Sequence, residues 1–153
     1  MELIYHGSNV EVEKPQILVQ GFYKDFGYGF YCTKIEKQAV RWAKLRSGSH
    51  ILNIYEYTLN SHLKTKVFPK MTDEWLDFIA ACRSGIEHDY DIVEGPMADD
   101  TIWDFVEDYL NKQISREAFW ELAKFKTPTH QILFSTNKSL ECIKFVRSCK
   151  VEE

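Results

Sequence analysis

The sequence predicts an α+β fold. Strand-like apolar runs and amphipathic helical runs are interspersed along the chain but do not form regular βαβ units. Hydrophobic residues make up 44% and aromatic residues 14% of the 153 positions, enough to build a packed core. No internal repeat, low-complexity segment or Gly/Ser linker interrupts the chain, so residues 1–153 read as a single domain.

Residues 2–6 open as an apolar strand. Residues 9–25 look irregular, with Pro15 and Gly21 as punctuation. "GFYCT" reads as a second strand, because glycine-bounded aromatics fit a pleated surface. A helix follows over 34–47, with Ile35, Ala39, Trp42 and Ala43 at helical spacing. Thr33 with Glu36 matches a capping box at its start. Residues 50–59 alternate as a strand, with Ile51, Asn53, Tyr55 and Tyr57 on one face. "TKVFPK" is a short or edge strand, because Pro69 argues against a central position. A helix capped by Thr72 or Asp73 runs to Gly85. "YDIVEG" is a strand that breaks at Gly95-Pro96. Two amphipathic helices follow: an acidic one over 99–112, which Asp99-Asp100 would cap, and one opened by Ser115. Residues 130–136 form an apolar strand, "KSLECI" a short helix and "KFVRSCKV" a closing strand.

The formal net charge is −4, so there is no global basic footprint for nucleic acid. Lys144, Arg147 and Lys150 form at most a local basic patch near the C-terminus. No apolar run approaches the ~18 residues of a membrane span, and no secretory signal is visible. A cytoplasmic protein with no membrane contact is expected. The four cysteines show no CxxC pairing, and no histidine sits at zinc-ligand spacing to them. They read as reduced and structural, and no metal site is expected.

Three segments carry chemistry when taken together: "LIYHGS", "GYGFYCTKIEKQAVRWA" and "THQILF". Gly27 and Gly29 permit backbone shapes closed to other residues. They precede a strand, whereas a dinucleotide fingerprint follows one and opens a helix. In this order the segments resemble the ADP-ribosyltransferase superfamily, in its His-Tyr-Glu branch of diphtheria-type toxins and poly(ADP-ribose) polymerases. "YHGS" matches the branch's first motif. "GYGFY" followed by "QAVRWA" matches the second, with Tyr31 and Trp42 eleven residues apart. "THQILF" matches the third, with Gln131 where Glu is usual. "YDIVEGPMADD" is similar to a run in small, uncharacterised bacterial proteins of this type, some from toxin–antitoxin or phage-defence loci.

The resemblance implies a split β-sheet core with flanking helices, and NAD as substrate. It implies catalytic roles for His6, Tyr31 and Gln131. It implies NAD contacts from His6, Gly7, Ser8, Phe26, Gly27, Gly29, Tyr31, Thr33 and Trp42. The chemistry suits those residue types. Breaking the nicotinamide–ribose bond passes through an oxocarbenium-like state, so positioning and charge stabilisation matter more than nucleophilicity. Tyr31 and Trp42 would clamp the flat nicotinamide. The Gly7 backbone would offer a donor and an acceptor to its carboxamide, its missing side chain letting the ligand come close. His6 would bond a ribose hydroxyl.

Gln131 departs from the branch pattern. A unit charge pair at ~4 Å and an effective dielectric of about 20 is worth roughly 4 kcal/mol. Losing it would cost on the order of 100- to 1000-fold in rate. Three outcomes stay open: slow transfer of one ADP-ribose, a general base lent by the target, or NAD binding without turnover. Chain elongation goes with Glu at this position in the branch, so mono-ADP-ribosylation of a protein or nucleic-acid acceptor is expected. The alternatives are an NAD- or ADP-ribose-binding module, or an interaction protein whose acidic helix docks a partner such as an antitoxin.

Overall fold

A computed structural model describes residues 2–17, 24–98, 100–124 and 129–152. The expected capping residue Asp99 lies outside these. The chain is α+β, and its described residues form seven strands in two sheets and five helices. The first sheet is antiparallel, in the order β1 (Glu2–Ser8), β3 (Ile51–Tyr57), β7 (Ile143–Lys150). The second runs β2 (Phe30–Cys32), β6 (Thr129–Phe134), β5 (Ile92–Met97), β4 (Thr65–Val67), with only the β4–β5 pair parallel. A backbone bridge joins the sheets where Tyr5 and Thr33 exchange hydrogen bonds of 2.8 and 2.9 Å.

Strand alternation sorts the side chains into layers. Ile4, Phe30, Tyr55, Tyr57, Ile132 and Phe134 pack between the two sheets. Leu52 and Ile54, on the opposite face of β3, pack on Ala39 of α1 (Glu36–Lys44). Val93 and Leu133, on the outer face of the second sheet, join a core built with α2 (Asp73–Arg83), α3 (Asp100–Leu110) and α4 (Arg116–Ala123). Fully burying each such side chain contributes about 1.5–3 kcal/mol. A short helix, α5 (Asn137–Leu140), links β6 to β7.

Several elements form as the sequence predicts. Thr72 caps α2 by accepting from Trp75 N, and Ser115 caps α4 by accepting from Ala118 N. β4 is the edge strand expected from Pro69.

Three expectations are corrected. The capping box of Thr33 and Glu36 does not form: Ile35 is the N-cap of α1. The Thr33 hydroxyl instead accepts from Ile35 N and bonds His130 Nδ1. β5 does not break at Gly95-Pro96 but continues to Met97. β4 covers it only from Ile92 to Glu94, so on that side Pro96 needs no N–H to donate. Phe68 packs against Gly95, where a Cβ would lie 2.8 Å from the Phe68 Cβ. β1 runs to Ser8, two residues past its expected end at His6, so Gly7 lies within the strand.

All four cysteines are free thiols, and Cys32, Cys82 and Cys142 are buried. Among the described residues, no helix is long and apolar enough to cross a membrane. No group of three His, Cys, Asp or Glu side chains among them is placed to hold a metal ion.

Candidate functional site

A cleft of about 460 Å³ opens beside the junction of the two sheets. β1 contributes His6 and Gly7, β2 contributes Tyr31, and β6 contributes Gln131. Trp42 lies on α1, and Leu45 and Arg46 directly follow that helix. Met97 ends β5 and Ala98 follows it, Arg83 ends α2, and Lys24 and Asp25 come from the turn before β2.

The imidazole of His6 is fixed by one bond. Its Nδ1 lies 2.6 Å from the Tyr31 carbonyl oxygen, which only accepts, so Nδ1 carries the proton. Nε2 is then a lone-pair acceptor. Burial, against the bond to Tyr31, lowers the His6 pKa to about 4, so the ring is neutral near pH 7. Its ring centroid lies 4.4 Å from that of Phe30.

The backbone of Gly7 faces the cleft for a topological reason. Antiparallel strands turn successive residues' N–H and C=O to alternate sides. Tyr5 spends both on Thr33, away from β3. Two residues on, Gly7 turns its own pair to the same side, past the end of that bridge. Its missing side chain serves packing: a Cβ there would lie 2.0 Å from the Ala39 carbonyl oxygen of α1.

Tyr31 is held at its far end. Its hydroxyl donates to Gly27 O at 2.6 Å and accepts from Phe26 N at 3.1 Å. Burial, reinforced by the Asp25 carboxylate, pushes its pKa well above the phenol range. The hydroxyl is therefore an anchor, and the ring is the surface on offer. Lys24 Nζ sits 5.3 Å from the centre of that ring.

Asp25 is 3% exposed and accepts hydrogen bonds at both oxygens. Oδ1 takes Arg83 Nε at 2.8 Å and a terminal Arg83 nitrogen. Oδ2 takes Ala98 N at 2.8 Å and Gln131 Nε2 at 3.1 Å. Arg83 also stacks on Trp103, with its guanidinium carbon 3.6 Å from the ring centre. Gln131 is 4% exposed and paired with Gly95 in the ladder. Two further contacts hold the walls in place. Gln38 of α1 accepts from His130 N at 2.9 Å and donates back to the His130 carbonyl, clamping α1 to the residue before Gln131. Trp75 Nε1 donates to Pro96 O at 2.9 Å and fixes the end of β5.

The cleft is cationic on a chain that is anionic overall. Lys24, Arg46 and Arg83 face it against the single carboxylate of Asp25. Burial and the charges of Arg46 and Arg83 lower the pKa of Lys24.

Of the residues singled out from sequence, His6, Gly7, Tyr31, Trp42 and Gln131 line this one cleft. The others lie outside its lining. Phe26 is fully buried and packs on Phe68 and Phe78. Gly27 accepts the Tyr31 hydroxyl bond at a φ of 91°. Gly29 turns at a φ of 152°, where a Cβ would strike the Phe134 carbonyl. Ser8 is buried and accepts from Val10 N. Thr33 is buried against His130. Lys144, Arg147 and Lys150 sit on β7, which β3 separates from β1. Sequence reasoning missed Lys24, Asp25, Arg46 and Arg83. The only signal in the sequence was the position of Lys24-Asp25, separated from the Gly-x-Gly turn by Phe26 alone.

Residues 1–145 match the family model DUF3990, described as a protein of unknown function, and the chain belongs to that family. Comparison with curated proteins gives no match, nor does comparison with solved structures.

Proposed function

We propose that this protein is an NAD-dependent mono-ADP-ribosyltransferase. It would cleave the nicotinamide–ribose bond and transfer ADP-ribose to a protein or nucleic-acid acceptor, in the cytoplasm. A toxin or phage-defence role, with an antitoxin as partner, accompanies this reading. The observation that carries it is the convergence of His6, Gly7, Tyr31, Trp42 and Gln131, from four elements, on one cationic cleft.

The chemistry of that cleft suits a dinucleotide. Neutral His6 offers Nε2 as an acceptor for a ribose hydroxyl. The Gly7 N–H and C=O match the acceptor and donor of a primary carboxamide. The Tyr31 ring and Trp42 form apolar walls for a flat heterocycle. Lys24, Arg46 and Arg83 suit a diphosphate. The bond-breaking step needs no protein nucleophile. The walls hold nicotinamide and ribose in place while the glycosidic bond lengthens, and polar groups offset the charge that develops.

The second reading is an NAD- or ADP-ribose-binding module without turnover. The neutrality of Gln131 and the pairing of Asp25 with Arg83 favour it. Nicotinamide release from NAD by the purified protein, with and without bacterial lysate, separates the two. Release that needs lysate and fails in His6→Ala supports the transferase. Saturable NAD binding without release supports the module. No binding at all overturns both.

A further inference from the structure

We propose that Asp25 is a positioning residue for Gln131: it holds Nε2 and so turns Oε1 into the cleft as an acceptor for a ligand hydroxyl. The inference rests on the dinucleotide reading above for the identity of that ligand. An amide side chain can present either end. Here the choice is forced, because an ionised carboxylate only accepts, and the end facing Asp25 Oδ2 at 3.1 Å must be the NH2 group. Among the described residues Oε1 has no partner, and Gln131 lines the cleft.

Asp25 is itself fixed. Arg83 Nε and Ala98 N, each at 2.8 Å, lock its two oxygens from α2 and the end of β5. The negative charge absent from position 131 is thereby present one side chain away. Gln131 presents the same kind of atom to the ligand as a glutamate would, with the formal charge behind it rather than on it. Two acceptors, His6 Nε2 and Gln131 Oε1, therefore face a cleft whose charged lining carries three cations, Lys24, Arg46 and Arg83, against one carboxylate. That combination selects ligands bearing both donor hydroxyls and anionic groups, as a sugar phosphate or nucleotide does.

A consequence separates this arrangement from a merely structural ion pair. Gln131→Glu restores the residue usual in the resembled branch, yet it sets two carboxylates about 3 Å apart, where they cannot both ionise freely. The paired change Asp25→Asn with Gln131→Glu exchanges acid and amide and restores one charge and one amide.

The test compares the wild type with Gln131→Glu, Asp25→Asn and the double variant. It reads nicotinamide release, NAD affinity and thermal melting, with the carboxyl introduced at position 131 followed by carbon NMR. Gln131→Glu should lower release or affinity on the order of tenfold, and the double variant should recover most of it. The introduced carboxyl should titrate higher with Asp25 present than with Asn there. Lys24, Arg46, Arg83 and His6 line the same cleft, but they are common to both backgrounds, so the difference isolates Asp25. If Asp25→Asn fails to fold, Gln131→Glu, which keeps the Arg83 pair, carries the kinetic and affinity test. A tenfold gain in Gln131→Glu overturns the proposal, as does an equal titration in both backgrounds. If the wild type neither binds nor cleaves NAD, the dinucleotide reading falls. The titration difference then decides alone whether Asp25 faces position 131.

Discussion

Gly7→Ala tests the joint between β1 and α1 on which the cleft depends. The added Cβ would lie 2.0 Å from Ala39 O and 2.6 Å from Ala43 N, both backbone atoms of the helix. Ordinary contact begins near 3.4 Å, so α1 would have to retreat by more than an ångström. No side-chain rotation relieves that overlap. Overpacking of this kind costs about 1–3 kcal/mol and sometimes more. Two simultaneous backbone overlaps place the change at the upper end, about 3 kcal/mol. Alanine also restricts the unfolded chain, an opposing gain of only about 0.4–1 kcal/mol. For a domain of this size each kcal/mol shifts the melting temperature by roughly 2–4 °C, so a fall of about 4–10 °C is expected. Thermal and urea unfolding measure it. Gly48→Ala is the control: it has open space around its Cβ, but at a φ of 84° it meets a backbone cost of about 1–2 kcal/mol. A Gly7→Ala protein within ~1 kcal/mol of the wild type would refute the seating of α1 on β1. Trp42 and Arg46 would then lose their fixed distance from His6.

Other predictions concern the cleft itself. The His6 pKa of about 4 lies below the unfolded value near 6.5, so the unfolded chain binds more protons between these values. Stability should fall as pH drops from about 6.5 to 4, by about 2 kcal/mol since part of the residue stays at the cleft surface. Urea titrations in His6→Gln should flatten that window, and an unchanged slope would assign the pH effect elsewhere. Trp42→Ala should weaken NAD binding by about tenfold, with little loss of stability because Trp42 is only partly buried. Calorimetry showing full affinity would remove Trp42 from the ligand wall. Arg46→Glu places an acid at the exposed rim, and NAD affinity should drop roughly tenfold or more in low salt. The gap to wild type should narrow at about 0.5 M salt, where screening is strong, and a salt-independent gap would mean a packing effect instead.

Local order was legible in the residues themselves. β3 follows from its alternation, α2 from Thr72, α4 from Ser115 and the edge position of β4 from Pro69. Each depends on a periodicity or a cap that acts within a few positions. The motifs around His6, Tyr31, Trp42 and Gln131 were also visible. What those motifs did not contain was the function of the residues between them. Thr33 matched a capping pattern but serves His130, 97 positions away. Gly7 suggested access for a ligand, and its bare Cα is occupied by the backbone of α1. Asp25 lay in a stretch without periodicity, and its partners Arg83 and Gln131 stand 58 and 106 positions further on. By itself the sequence determined the approximate places of the strands, the starts of α2 and α4 and the candidate aromatic and histidine side chains. Only the tertiary structure decided which charges meet in the cleft, because hydrogen bonds and ion pairs depend on distances that chain folding sets, and no local pattern encodes them.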